Sequence, residues 1–215
     1  MTIKRRQVSA TVGIVSLGCA KNLVNTEQMM FLLEEAGYNV TGETDGADVV
    51  IINTCGFIES AKMEAIETIL EFGAQKADGR IGKLVVTGCL AERYKSEMLS
   101  EMPEIDGALG VGSFDEMVDA IDSVLSSDEK FSRFGDIDAP VSEVRRILTT
   151  SSAWAYVKIA EGCDNHCTYC TIPSIRGNYV SRPFESILDE CRRLVKSGAR
   201  ELILVAQDTA RYGAD

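Results

Sequence analysis

Val49-Val50-Ile51-Ile52-Asn53-Thr54-Cys55-Gly56 sets four β-branched apolar residues before two short polar ones, a cysteine and a glycine. An apolar run without alternation is buried on both faces, which is how a strand inside a parallel sheet reads. Two other stretches end in the same way. Val12 to Leu17 runs through Gly18 into Cys19, and Leu84 to Val86 runs through Thr87-Gly88 into Cys89. The cysteines lie 36 and 34 residues apart, about one strand–helix repeat, so the three thiols are expected on one edge of the sheet. In open parallel sheets ligands bind beyond the carboxyl ends of the strands, which is where these cysteines fall.

Helical stripes separate the strands. Ala65, Ile66, Ile69, Leu70 and Gly73 fit one buried helix face, and Phe114, Met117, Val118, Ile121, Val124 and Leu125 fit another. The alternation predicts an α/β fold, an open parallel sheet with flanking helices, over residues 1–126. Residues 127–152 carry no stripe and read as a linker. From 153 to 215 a strand (Trp154 to Ala160), a helix after Ser181-Arg182-Pro183 and a second strand (Glu201 to Ala206) make one strand–helix–strand unit. Phe184, Ile187, Leu188, Cys191, Leu194 and Val195 mark the buried face of that helix, which makes Cys191 a core residue rather than a ligand.

The chain has 215 residues, 22 Lys and Arg against 33 Asp and Glu, and a net charge of −11. The whole excess lies in residues 1–150, because the remainder is balanced. An acidic surface repels phosphate backbones, so nucleic-acid contact is not expected from this region, and a basic protein is the better partner. Seven cysteines placed after apolar runs suit metal ligation in a reducing compartment better than a disulfide scaffold. Lys4-Arg5-Arg6 before an apolar stretch resembles an export signal, but Ser9, Thr11, Gly13 and Ser16 interrupt it, and no run is long enough to span a bilayer. The expected location is the cytoplasm.

Cys163, Cys167 and Cys170 form a compact C-x3-C-x2-C set. Three thiolates in one loop leave a four-iron cluster with an open iron, since such clusters usually take four cysteines. Zinc is the competing reading. Its fourth ligand would have to come from the single histidine, His166, inside the same loop, where a non-ligating role is expected.

The stretch from Glu161-Gly162-Cys163 through Cys170-Thr171-Ile172-Pro173-Ser174-Ile175-Arg176-Gly177 resembles the signature loop of radical S-adenosylmethionine enzymes, in their methylthiotransferase branch. Gly18-Cys19-Ala20-Lys21-Asn22 and Asn53-Thr54-Cys55-Gly56 resemble the amino-terminal domain of that branch. Cys55-Gly56-Phe57-Ile58-Glu59-Ser60-Ala61 and Gln207-Asp208-Thr209 are most similar to its members that methylthiolate an aspartate β-carbon of small-subunit ribosomal protein twelve. Ala20 stands where proline is usual and Asn25 where aspartate is usual, and neither departure touches the chemistry.

The resemblance implies two 4Fe-4S clusters, one on Cys163, Cys167 and Cys170 that binds S-adenosyl-L-methionine as radical source, and an auxiliary one on Cys19, Cys55 and Cys89 that carries the sulfur to be methylated and transferred. Tyr169 is the candidate neighbour of the adenine, with ordinary core packing as the alternative, and no catalytic acid or base is assigned. Implied partners are a small-subunit ribosomal protein or the ribosomal subunit, and a low-potential electron donor such as flavodoxin or ferredoxin. The resemblance also implies an incomplete partial barrel, with a truncated radical-SAM domain, a partly exposed second cluster site and less activity from this chain alone than from a longer one. A tRNA methylthiotransferase, a non-catalytic electron carrier, a cobalamin-dependent radical enzyme and a zinc module remain as alternatives. Residues 1–150 contain no histidine for a cobalt ion.

Overall fold

A computed structural model describes residues 10–151 and 153–215. Lys4-Arg5-Arg6 and Ser9, weighed above as an export signal, and Ser152 at the end of the expected linker lie outside the described residues. The chain begins β1 (Thr11–Ser16), α1 (Ala20–Ala36), β2 (Asn39–Thr41), β3 (Val49–Thr54), α2 (Glu59–Ala77), β4 (Lys83–Gly88), α3 (Cys89–Glu101) and β5 (Gly107–Leu109). A 3-10 turn (Val111–Glu116), α4 (Met117–Ser126) and β6 (Phe131–Arg133) follow. The six strands form one sheet in the order β2-β1-β3-β4-β5-β6, and every adjacent pair is parallel.

All six residues of β3 are buried, and their alternation explains why no polar position interrupts the first four. Val49 and Ile51 pack with Met29 and Leu33 of α1 and Met117, Ile121 and Val124 of α4. Val50 and Ile52 pack on the opposite face with Ile69 and Phe72 of α2 and Leu90 and Met98 of α3. Each such side chain contributes roughly 1.5–3 kcal/mol by leaving water. The strand order changes direction between β1 and β3, because β2 is built on one side of β1 and β3 on the other. The loops leaving β1 and β3 diverge at such a point and leave a crevice between them.

The second unit contains β7 (Trp154–Lys158), β8 (Ala160–Glu161), α5 (Ile172–Arg176), β9 (Val180–Ser181), α6 (Phe184–Lys196), β10 (Glu201–Val205) and a 3-10 turn (Thr209–Arg211). β7 and β10 pair in parallel with Trp154 opposite Glu201, as expected for a strand–helix–strand unit.

Four expectations need correction. The helix expected from Phe114 starts only at Met117; Phe114 lies on the 3-10 turn, held where Ser113 Oγ accepts the Gly135 N–H at 2.7 Å. Leu70 is 53% exposed, because the buried stripe of α2 is Ala65, Ile69 and Phe72. The strand expected over Trp154 to Ala160 breaks at Ile159: its N–H still bonds Val205, but its carbonyl accepts from Arg182, which turns β8 into an antiparallel pair with β9. In α6, Phe184 and Val195 are exposed, whereas Glu190 is buried because Arg146 and Arg182 pair with it at 2.8 and 2.6 Å. Cys191 packs against the small core of this unit, beside Ile187 and Leu194.

Residues 127–152, which read as featureless, carry β6 in the main sheet and a tied-down strap beyond it. Arg146 pairs with Glu27 of α1 at 2.7 Å, and Glu27 also accepts from the Thr149 N–H at 2.8 Å.

Candidate functional site

The sheet brings the dispersed cysteines together. Thr54 pairs with Gly88 and Ser16 with Asn53, so the chains leave the sheet level with one another. Cys55 follows β3, while Cys19 caps α1 and Cys89 begins α3. Gly18 has φ 90°, and a Cβ there would lie 2.7 Å from Cys55 Cβ and 3.3 Å from its sulfur. Gly88 has φ 94°, and a Cβ there would overlap Asn53 Oδ1 and the Thr54 carbonyl. Both positions combine a left-handed backbone with a close approach that only glycine permits.

Buried amides and hydroxyls lock these loops. Asn22 Nδ2 donates to the carbonyls of Leu17 at 3.1 Å and Thr54 at 2.8 Å, joining the loops after β1 and β3. Asn53 Nδ2 donates to the Asn22 carbonyl at 2.8 Å and to Thr26 Oγ1 at 2.9 Å, and Thr54 Oγ1 donates to the Thr87 carbonyl at 2.6 Å. Cys89 is 3% exposed; Cys19 is exposed and Cys55 half-buried. Burial pushes the Cys55 thiol up, against the backbone N–H of Phe57 and Arg176, with Cys89 and Cys19 adding to the rise.

A buried ionic group connects this edge to the second unit. Glu161 Oε1 accepts from Lys21 at 2.9 Å and from Arg176 at 2.8 Å, and its Oε2 lies 3.0 Å from Lys158 Nζ. Lys158 also donates to Asn25 Oδ1 at 2.6 Å, and Arg176 donates to Asn22 Oδ1 and, through Nε, to Cys89 Sγ at 3.2 Å. Burial lowers the Lys21 ammonium to about 8 despite Glu161, and lowers Lys158 as well. Burial alone would raise the Glu161 carboxyl, but Arg176, Lys158 and Lys21 outweigh it and hold it well below its usual range. Burial opposes the Arg176 charge too, and Glu161, Cys89 and Cys19 outweigh that, so the guanidinium stays protonated. Three cations around one carboxylate leave positive charge in excess beside Cys89, a setting suited to a buried anion.

The compact set lies on a surface loop between β8 and α5. The Cys163 N–H bonds the Gly177 carbonyl and the Cys170 N–H the Cys167 carbonyl, each at 3.0 Å, while the Ile172 N–H points at Cys170 Sγ at 3.5 Å. His166 is exposed with φ 51°, Cys167 is exposed, and Cys163 and Cys170 are half-buried. Tyr169 is 84% exposed and so packs in no core. Arg211 anchors the loop through Asp164 and stacks on Tyr179 with 5.3 Å to the ring centre.

Among the described residues no group of three or more His, Cys, Asp or Glu side chains converges closely enough to hold a single metal ion. A four-iron cluster makes a different demand, one thiolate at each of several corners of a cube, so its ligands stand apart. The residues present fit that group. At the dispersed site three thiols share a sheet edge beside surplus positive charge; at the compact site three thiols share one loop, and Thr171 Oγ1, next in the chain to Cys170, is a buried hydroxyl with no partner among the described residues.

Sequence reading assigned roles to the cysteines and missed Asn22, Asn53, Glu161, Lys158 and Arg176. Two signals were present: Lys158 is a charge inside the apolar Trp154 to Ala160 strand, and Arg176 follows Ile172 and Ile175, with which it shares the buried side of a five-residue helix.

Residues 11–110 match the family model described as uncharacterized protein family UPF0004, and residues 157–214 match the radical SAM superfamily. Ribosomal protein uS12 methylthiotransferase RimO of Clostridioides difficile is 48% identical over 205 residues, covering 95% of this chain and 46% of that protein. RimO of Desulforamulus reducens is 50% identical over 206 residues, with the same coverage. The chain thus spans about half the length of the curated relatives it matches. Among solved structures, the radical S-adenosylmethionine methyltransferase TsrM of Kitasatospora setae, with cobalamin and a [4Fe-4S] cluster bound, superposes with a TM-score of 0.62 at 11% identity, over 94% of this chain and 49% of that one; this likeness concerns the fold alone. Two family matches in tandem, each carrying one cysteine set, and near-half identity across almost the whole chain make it similar to the radical S-adenosylmethionine methylthiotransferases over the half of those proteins that it spans.

Proposed function

We propose that this chain carries both iron–sulfur sites of an enzyme that inserts a methylthio group at the β-carbon of an aspartate in a small-subunit ribosomal protein. The supporting observation is the pairing of one cysteine set at the carboxyl ends of parallel strands with a second in the loop after β8, the two joined through Arg176, Glu161 and Asn22. Cys163, Cys167 and Cys170 would hold one 4Fe-4S cluster and Cys19, Cys55 and Cys89 the other. With S-adenosyl-L-methionine these clusters supply the radical needed to open an unactivated C–H bond and the sulfur to be transferred.

The chain's own residues bind, orient and shield. Asn22, Asn53 and Thr54 fix the three strand ends, and the burial of Cys89 keeps water from that thiol. Tyr169, exposed beside Cys170, is free to cover an adenine. The domain division that suits this reading carries the auxiliary-site unit past the expected 126 to the end of β6 at Arg133, leaves 134–152 as connection and gives 153–215 to the S-adenosylmethionine site. The net charge of −11 suits a basic ribosomal protein as substrate, and a flavodoxin or ferredoxin would supply electrons. Among the described residues no helix is long and apolar enough to cross a membrane; cytoplasmic location is part of the proposal, because thiolate sites of this kind need a reducing compartment.

Anaerobic reconstitution followed by iron and acid-labile sulfide analysis tests the reading. About eight irons should be found, falling to about four when Cys19, Cys55 and Cys89 are all replaced by alanine. An equal count in both proteins would show that the dispersed cysteines hold no cluster and remove the basis for sulfur insertion.

A further inference from the structure

Arg176 touches both cysteine regions at once. It sits in α5, six positions beyond Cys170, and its Nη1 donates to Oε1 of Glu161, two positions before Cys163, at 2.8 Å. Its other two contacts cross to the first unit, Nη2 to Asn22 Oδ1 and Nε to Cys89 Sγ at 3.2 Å. The side chain is 1% exposed. A guanidinium is planar and its donors point in fixed directions, so Glu161 and Asn22 together aim the Nε–H at the Cys89 sulfur. Lysine has neither the plane nor the fork.

We propose that Arg176 is a positioning residue for the dispersed site, which holds a donated hydrogen bond and a positive charge on the Cys89 sulfur and thereby raises the reduction potential of the cluster on Cys19, Cys55 and Cys89. Hydrogen bonds to ligand sulfurs and nearby charge set the potentials of such clusters, and both favour the more negative, reduced state. The charge is not neutralised locally, because Glu161 is shared with Lys21 and Lys158. The inference rests on the two-cluster reading above. A merely structural Arg176 would tie the two units together without affecting redox behaviour.

The test uses the full chain with Cys163, Cys167 and Cys170 replaced by alanine, so that a single cluster reports. Iron content is measured first, then the midpoint potential by redox titration followed by electron paramagnetic resonance, with Arg176 intact, R176M and R176K. At a fixed applied potential R176M should lower the reduced-to-oxidised ratio about tenfold, about 59 mV for a one-electron couple, with R176K between. An unchanged potential in R176M with full iron content overturns the proposal. Should R176M lose its iron, R176K decides alone: a lowered potential supports the positioning role, and an unchanged one overturns it. If the parent with intact Arg176 binds no iron, the cluster reading itself fails, and the role of Arg176 falls with it.

Discussion

The two cysteine sets reach similar ends by opposite means. Cys19, Cys55 and Cys89 are far apart in sequence, and the registers of β1, β3 and β4 bring them level, with Asn22 and Asn53 stapling the loops. Cys163, Cys167 and Cys170 fall within one exposed loop held by a few backbone bonds and the Arg211 anchor. The first site is a property of the sheet and the second a property of local sequence. Sensitivity to substitution should divide in the same way: the dispersed site should fail through residues that are not themselves cysteines, and the compact loop should tolerate changes without global loss.

Glu161 lies where the two regions meet, and its replacement should have the largest effect. E161Q keeps the shape but leaves Lys21, Lys158 and Arg176 without a carboxylate. Removing one partner of a buried pair costs 3–5 kcal/mol, and the 18% residual exposure of the Glu161 side chain places this case near the lower end, about 3 kcal/mol. Urea unfolding of the apo chain measures it, and a loss below about 1 kcal/mol would mean that solvent already screens the group.

N22L comes next and separates the regions. It removes the donor to the buried Thr54 carbonyl and the part-buried Leu17 carbonyl and the acceptor for Arg176, and orphaned buried groups cost about 1–3 kcal/mol each. Partial relaxation makes about 2 kcal/mol the expected loss by the same measurement. N165A in the compact loop should stay within about 0.5 kcal/mol of wild type, because Asn165 is exposed. Equal losses in N22L and N165A would erase the distinction between the two sites.

The sheet was legible because β3, β1 and β4 are dense apolar runs with cysteine at a constant place, a pattern set by burial on both faces. The short strands were not. β2, β5 and β6 have three residues each, too few for periodicity to register, and they pair because the neighbouring strands already present an edge. The cysteines of the site were visible through spacing. Glu161, Lys158 and Arg176 were not, since a charged residue is read as solvated unless its counter-charge is known, and here the contacts to Asn22 and Asn25 come from more than 130 positions away. The exposed Leu70 and Phe184 show the opposite error, an apolar residue at helical spacing that the packing leaves outside.

Lys158 sharpens the comparison through pH. Burial lowers its pKa from the usual 10.5, against the pull of Glu161 and with Arg176 and Arg182 adding to the fall; Lys21 shares the same carboxylate, and Asn25 and the Phe114 ring complete its surroundings. Between a lowered folded value and a higher unfolded value the unfolded chain binds the extra proton, so stability rises with pH across that interval. The penalty is fully present below the folded value and disappears as pH passes 10.5. The unfolding free energy of wild type minus that of K158M should therefore increase from neutral pH toward 10.5. A difference that stays flat would show that Lys158 keeps an ordinary, hydrated ammonium.

The smallest effect on stability is expected at Tyr169, which bears most directly on the compact loop. Its ring is 84% exposed, so Y169A removes almost no buried surface and should leave unfolding within about 0.5 kcal/mol of wild type. If the ring covers an adenine at the loop, Y169A should weaken S-adenosyl-L-methionine binding to the reconstituted chain roughly tenfold, on the order of one aromatic stacking contact, without lowering iron content. Unchanged affinity would assign the exposed ring to some other contact, while a loss of iron would mean that the loop depends on Tyr169 for its shape, contrary to its position in solvent. A stability loss comparable to that of N22L would be still more informative, because it would show that the compact loop is as integral to the fold as the strand ends that carry the dispersed set.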